Sequence, residues 1–260
     1  MKVGIVGYGW VAGAHIDALN SIEGVEVSAI YSSRSQDDNA LSQRHGSSIK
    51  SYQNLDSMID SENLDVISIC SYPAQHKDHV IACAKAGKHL IIEKPLALSI
   101  EDCAEIRSVV DENKVKTCVC FECRYSSQFL ATKAAIDEGL IGSIHYGEVD
   151  YYHGIGPWYG QFRWNTTKEN GASSLLSAGC HALDALLLCM DGDVEEVSSY
   201  ASSSKSEIFS GYEYPTTTTT IIKFTDGRVG KAASCIAVSY THLRAHETGR
   251  NLVCRLLLEK

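Results

Sequence analysis

Two rhythms of apolar and polar positions alternate along the first 122 residues. Short, nearly continuous apolar runs occur in KVGIV, VEVSAIYSS, LDVISICS, KHLII and KTCVCFE, and between them apolar residues recur every three or four positions. The first pattern fits strands buried on both faces, and the second fits amphipathic helices packed over them. This alternation predicts an α/β fold with a parallel, doubly wound sheet over residues 1–122. Helix boundaries are marked by their own chemistry. Ser99 precedes IEDCAEIRSVVDENK as a candidate N-cap, with Glu101 and Asp102 in the first turn, and Gly87 follows HKDHVIACAKA as a C-cap.

The pattern changes after residue 122. SQFLATKAAIDEGLIG reads as an amphipathic helix ending at a glycine, and SIHYGEVDYYHG alternates like a strand. Two β-branched runs within TTTTTIIKFTDGRVGKAASCIAV are joined by Asp226–Gly227, which predicts a hairpin. Residues 123–237 are therefore expected to form a second α/β domain.

Between the first strand and the first helix lies a glycine-rich turn, in which Gly7, Gly9 and Ala12 give G-x-G-x-x-A with Trp10 and Val11 inside it. Gly7 permits the tight turn, Gly9 admits a pyrophosphate to the backbone, and Ala12 lets helix and strand pack closely. The pattern predicts a dinucleotide site. An acidic residue at the tip of the second strand would favour NAD, but the tip reads Ser32–Ser33–Arg34–Ser35. Hydroxyls with an arginine suit a 2′-phosphate, so NADP is favoured over NAD. Ligands on such sheets bind beyond the carboxyl ends of the strands, which places Ser71, Tyr72, Glu93, Lys94 and Pro95 at the mouth of the site.

Composition narrows the possibilities. The formal charge is −9, with no basic block to attract nucleic acid or an anionic membrane. No apolar run approaches the roughly 18 residues of a membrane span, and the N-terminus reads as a first strand rather than a signal peptide. The ten cysteines are scattered. Those at Cys70, Cys118, Cys120 and Cys189 lie in apolar or alternating contexts, as expected of buried thiols in a cytoplasmic protein. Cys118, Cys120 and Cys123 lack a second C-x-x-C partner cluster, so no metal site is expected.

Four motifs in order, GYGWVAGAH, SYPAQH with His76, EKPLAL at 93–98 and GCHALD at 179–184, resemble the Gfo/Idh/MocA oxidoreductase family over residues 1–237. The resemblance implies a Rossmann domain followed by a domain with a large, mostly antiparallel open sheet. It also implies nicotinamide-dependent oxidation or reduction of a sugar, inositol or related polyol, and homo-oligomers formed through the second sheet. Two rival readings are a redox-assisted glycosidase with tightly bound NAD and a catalytically inactive nucleotide-binding regulator.

Hydride transfer from a carbinol carbon needs a base for the hydroxyl proton and a cation near the developing alkoxide. Lys94, aimed by Pro95, suits the cation role, and His181 suits the base. Asp184, one helical turn on, is placed to orient His181 or cap a neighbouring element. Many family members carry D-x-x-x-H, whereas this chain has Ser177 in the aspartate position. That departure removes a charge that would raise the histidine pKa or anchor a substrate. The aromatic stretch DYYHGIGPWYGQFRWN, with His153, Arg163 and Trp164, suits a sugar or cyclitol, and Arg124 stands near enough to the last Rossmann strand to reach cofactor or substrate.

Residues 238–260 share no rhythm with the preceding strand. VSYTHLRAHET and LVCRLLLEK are each encodable by segments of a sequencing-library adapter in one reading frame, with a barcode-sized gap between them. We expect this stretch to be translated adapter, with the native sheet continuing differently after residue 237. An unpaired sheet edge is expected in its place. His242, His246 and Cys254 accordingly leave the list of candidate site residues.

Overall fold

The computed structural model describes residues 1–238 and, beyond them, the backbone of Leu252–Leu258. His242 and His246, set aside above, lie outside the described residues. The chain divides into two compact units, Met1–Cys120 and a second that begins at Phe121.

In the first unit the elements run β1 (Lys2–Val6), α1 (Ala12–Asn20), β2 (Glu26–Tyr31), α2 (Asp38–His45), β3 (Lys50–Tyr52), α3 (Leu55–Ser61), β4 (Val66–Ile69), α4 (His76–Lys85), β5 (His89–Ile92), α5 (Ile100–Asn113) and β6 (Thr117–Val119). All strand pairs are parallel, in the order β3-β2-β1-β4-β5-β6. Strand side chains alternate between faces, so each face buries its own apolar set. Val3, Ile5, Val27 and Ile30 pack against Ala12 and Ile16 of α1 and Leu41 of α2. Val6, Ile67, Ile69, Leu90 and Ile92 pack on the other face against Met58 of α3, Val80 and Cys83 of α4 and Ile106 of α5. The sheet is thus doubly wound, as the alternation predicts.

The expected caps are in place. Ser99 Oγ accepts from the Asp102 N–H at 3.1 Å, and Gly87 takes a left-handed φ of 72° after α4. Asp37 and Asn54 cap α2 and α3 in the same way. The cysteine expectation needs a correction. Cys70 and Cys189 are buried, but Cys118 is exposed and Cys120 half-buried. β6 is the last strand in the sheet order, and Cys118 lies on it.

In the second unit follow α6 (Ser127–Asp137), β7 (Ile144–Tyr152), α7 (Phe162–Asn165), α8 (Lys168–Gly171), α9 (Cys180–Met190), β8 (Val194–Ser202), β9 (Thr217–Phe224), β10 (Val229–Cys235) and β11 (Leu252–Leu258). They form a mixed sheet of order β11-β7-β10-β9-β8, in which only β7 and β10 run parallel. α9 lies on one face and buries Ala182, Ala185, Leu186 and Met190 against Val149, Ile222, Phe224 and Ala232. β9 and β10 form the expected hairpin, turning at Gly227 with φ 89°.

Two expectations change here. An 18-residue window within the helical stretch Lys168–Met190 has mean hydropathy 1.4, which is enough by length and composition for a membrane span, yet 67% of it is buried inside the protein. Its apolarity belongs to a core helix. The outer edge of β7 is also not left open, because Leu252–Leu258 pairs with it antiparallel. A β-ladder joins backbone groups, so any extended segment can satisfy it whatever its origin.

Candidate functional site

The carboxyl ends of β1, β2, β4 and β5 carry the first unit's candidate residues. Gly7 follows β1 with φ +92°, and a Cβ on it would stand 2.7 Å from the Ser71 backbone nitrogen. Glycine is required there for conformation and for space. A Cβ on Gly9 would meet nothing within 4 Å, which leaves the backbone open to a phosphate group ahead of α1. The Gly7 N–H donates to Tyr31 O at 2.9 Å, which ties this loop to the tip of β2. There Ser32 is buried and its Oγ accepts from the Arg34 N–H at 3.2 Å, while Ser33 and Arg34 face outward. Tyr8, inside the loop, is held by a chain of its own. Its hydroxyl meets His45 Nε2 at 2.9 Å, and His45 Nδ1 meets Asp17 at 2.9 Å. Trp10 is 71% exposed and Val11 half-buried. The cradle fits a dinucleotide at the position the glycine motif specifies.

His76 plays a different part from a ligand contact. It is fully buried, with Nδ1 2.8 Å from Pro95 O and Nε2 3.0 Å from Ser71 O. A neutral ring donates to one of these carbonyls at a time, and burial holds its pKa below the ordinary histidine value. His76 therefore sits between the loops after β4 and β5, in reach of a carbonyl from each, rather than presenting a polar edge outward. His79 meets Ser71 Oγ at 2.9 Å beside it.

Lys94 lies at the end of β5, before a cis Pro95. Its neighbour Glu93 is 3.0 Å from His15 Nε2, and Glu93 Oε2 accepts the Lys94 backbone N–H at 3.2 Å. The other nitrogen of His15 meets Ser68 Oγ at 2.9 Å. Burial pushes the Glu93 pKa up, but the His15 hydrogen bond and the Lys94 charge outweigh it and hold the carboxyl below its usual range. The ligand-type atoms of His15, Glu93 and Cys120 lie within 4.8 Å of one another. The thiol of Cys120 is pushed up to about 12 by burial, so this grouping is a hydrogen-bonded network before it is a thiolate metal centre.

In the second unit His181 sits in the first turn of α9 and is 6% exposed. Its ring stacks on Tyr151 at 6.2 Å between centroids and meets the edge of Phe121 at 6.3 Å. Tyr151 is held protonated by burial. His153 packs edge-on against Tyr159 at 5.0 Å, and burial lowers its pKa. Ser177 belongs to a π-helical turn, Leu175–Gly179, that runs into α9. Its Oγ is 3.5 Å from the Tyr214 hydroxyl, which donates to the Asn165 carbonyl. Arg124 and Asp184 are brought to each other. Nε and Nη2 of the arginine donate to the two carboxylate oxygens at 2.8 and 2.6 Å. Arg163 is exposed and Trp164 half-buried on the short α7.

The sequence reading missed His15, Ser68, Tyr8 and Tyr151. Only His15 left a signal, as a histidine three residues beyond Ala12 on the helix that follows the glycine loop.

Known proteins place this arrangement. Residues 1–121 match a domain described as "Oxidoreductase family, NAD-binding Rossmann fold", and residues 129–251 match the GFO/IDH/MocA C-terminal domain. Glucose-6-phosphate 3-dehydrogenase of Bacillus subtilis strain 168 is 30% identical over 199 residues, covering 74% of this chain and 54% of that protein. The scyllo-inositol 2-dehydrogenase (NADP(+)) IolW of the same organism is 27% identical over 188 residues, 72% of this chain and 51% of that protein. The chain thus spans about half the length of the curated relatives it matches. The crystal structure of myo-inositol 2-dehydrogenase from Lactobacillus plantarum shares the fold, with a TM-score of 0.86 at 21% identity over 99% of this chain and 74% of that one. With both domains matched in order and the glycine loop, the EKP turn and the GCHALD helix in place, the chain belongs to the Gfo/Idh/MocA oxidoreductase family.

Proposed function

We propose that this protein is a nicotinamide-dependent oxidoreductase that interconverts a secondary hydroxyl and a ketone on a sugar, inositol or related polyol, with NADP favoured over NAD. The observation that carries the reading is the glycine loop, open above Gly9 and closed onto Ser71 at Gly7, with the Lys94 turn on the same edge of the parallel sheet. Gly7, Gly9, Trp10 and Val11 would hold the pyrophosphate, and Ser33 and Arg34 the ribose end. Ser71, Tyr72, Glu93 and Lys94 would bound the nicotinamide end. A bound nicotinamide accepts or delivers the hydride. His181 takes the hydroxyl proton as the carbonyl forms, and Lys94 offers its charge to the oxygen as negative charge develops there. His153, Arg163 and Trp164 would contact the polyol. Ser177 keeps a hydroxyl where many relatives have a carboxylate. Asp184 and Arg124 hold the helix start that carries His181, through a bidentate pair.

The test is a panel of glucose 6-phosphate, myo-inositol, scyllo-inositol and simple aldoses, assayed with both cofactors alongside fluorescence titration of NADPH and NADH. Turnover on at least one polyol is expected. Lys94→Ala and His181→Ala should each lower kcat by about 10²-fold or more. Arg34→Ala should weaken NADPH binding by about tenfold with little effect on NADH. Cofactor binding without turnover on any member of the panel would overturn the reading in favour of a regulator.

A further inference from the structure

We propose that His15 is a positioning residue for the Lys94 turn: it grips one oxygen of the Glu93 carboxylate while the other accepts the Lys94 backbone N–H. The inference rests on the role of Lys94 proposed above. Three distances define the chain from Ser68 Oγ through His15 and Glu93 to the Lys94 nitrogen, at 2.9, 3.0 and 3.2 Å. Ser68 is fully buried on β4, so it anchors the far end of the imidazole to the centre of the sheet. The side chains of His15 and Glu93 are 14% and 15% exposed, which keeps solvent from replacing their contact. His76 Nδ1 lies 2.8 Å from the carbonyl of the adjacent Pro95. The turn is therefore fixed at two successive residues by two histidines from different helices.

Charge follows from the same geometry. The groups facing His15 are Ser68 from β4 and Cys70 just after it, Glu93 from the end of β5 with Lys94 beyond it, and Cys120 after β6. Burial opposes a charge on the imidazole, but the nearby Cys70 and the hydrogen-bonded Glu93 carboxylate outweigh it and raise His15 to about 10. His15 is then an imidazolium throughout the neutral range, and its partner is a carboxylate. Without the charge on the ring, Glu93 would keep the hydrogen bond but lose a neighbouring cation, and the carboxyl pKa would rise.

The experiment is NMR titration of the histidine side chains in the full chain, with His15 assigned by its loss in His15→Gln. A His15 pKa near 10 is expected. It should fall toward the ordinary value of about 6.5 in Glu93→Gln. A His15 that titrates near 6.5 in the unsubstituted protein would overturn the proposal. In parallel, amine labelling of Lys94 is followed by mass spectrometry, with Lys85 and Lys114 as internal references. His15→Leu should change the Lys94 rate by at least about threefold, and His15→Gln, which keeps a donor to Glu93, by less. Identical Lys94 rates in all three proteins would also overturn it. If His15→Leu does not fold, His15→Gln against the unsubstituted chain decides the same question. Where turnover is measurable, His15→Leu should lower kcat while leaving the polyol KM within about threefold, and should move the acid limb of the rate profile to higher pH. If no polyol is turned over, the functional reading fails, while the titration and the labelling still decide the role of His15.

Discussion

Ser177 lies four residues before His181, and it joins a buried polar group rather than standing alone. Its hydroxyl is 3.5 Å from the Tyr214 hydroxyl, and burial pushes that phenol up to about 12. Tyr214 thus keeps its proton at working pH and spends it on the Asn165 carbonyl. Ser177→Asp places a negative charge one helical turn from His181. An opposite charge favours the imidazolium, so the neutral base form appears only at higher pH. The rate limb that requires neutral His181 is expected to move up by about one pH unit, and Ser177→Asn should leave it in place. A limb that stays put in Ser177→Asp, measured as kcat/KM against pH, would show that position 177 does not communicate with His181. Asp184 teaches the complementary lesson. Its spacing from His181 invited a direct pairing, but its carboxylate is taken by Arg124, 60 residues away in sequence. Local spacing names neighbours on one helix and is blind to a partner delivered by another segment.

The β9–β10 hairpin shows how far an element can be read from a few residues. Asp226–Gly227 between two β-branched runs fits the observed turn, where the Gly227 N–H donates to Phe224 O and Asp226 accepts from the Arg228 N–H. A Cβ on Gly227 would meet nothing within 4 Å, so substitution there tests backbone conformation alone. Gly227→Ala should destabilise the protein by about 1–2 kcal/mol because φ is 89°. Gly227→Asn should cost less, since asparagine tolerates the left-handed region. Urea unfolding measures both, and equal midpoints for alanine and glycine would contradict the argument. The strand β6 marks the limit of such reading. Its alternation resembles that of the central strands, yet its place at the sheet edge leaves Cys118 exposed. A pattern reports which residues share a face, and only the assembled sheet decides whether that face is covered.

At the scale of the whole molecule, the second sheet is closed on its β7 side by Leu252–Leu258. The ladder joins the backbone groups of this segment to those of β7 in antiparallel register. Deleting residues 239–260 leaves those β7 groups unpaired. Self-association that increases with concentration is expected, read by light scattering after size exclusion. A deletion variant that stays monodisperse across the same concentrations would show that β11 does nothing for this edge.

The sequence by itself determined the doubly wound sheet, the caps at Ser99 and Gly87, the glycine loop and the hairpin, because each rests on interactions between residues a few positions apart. Periodicity, φ preference and capping are local properties, and they survive in the linear text. The tertiary structure alone decided that His76 sits between two loops, that Arg124 neutralises Asp184, and that Ser68, His15 and Glu93 form a line to the Lys94 nitrogen. Those contacts join residues 19 to 78 positions apart, apart from Glu93 to its own neighbour and His76 to Ser71. Which polar groups meet at such separations depends on strand order and on which groups burial leaves in need of a partner.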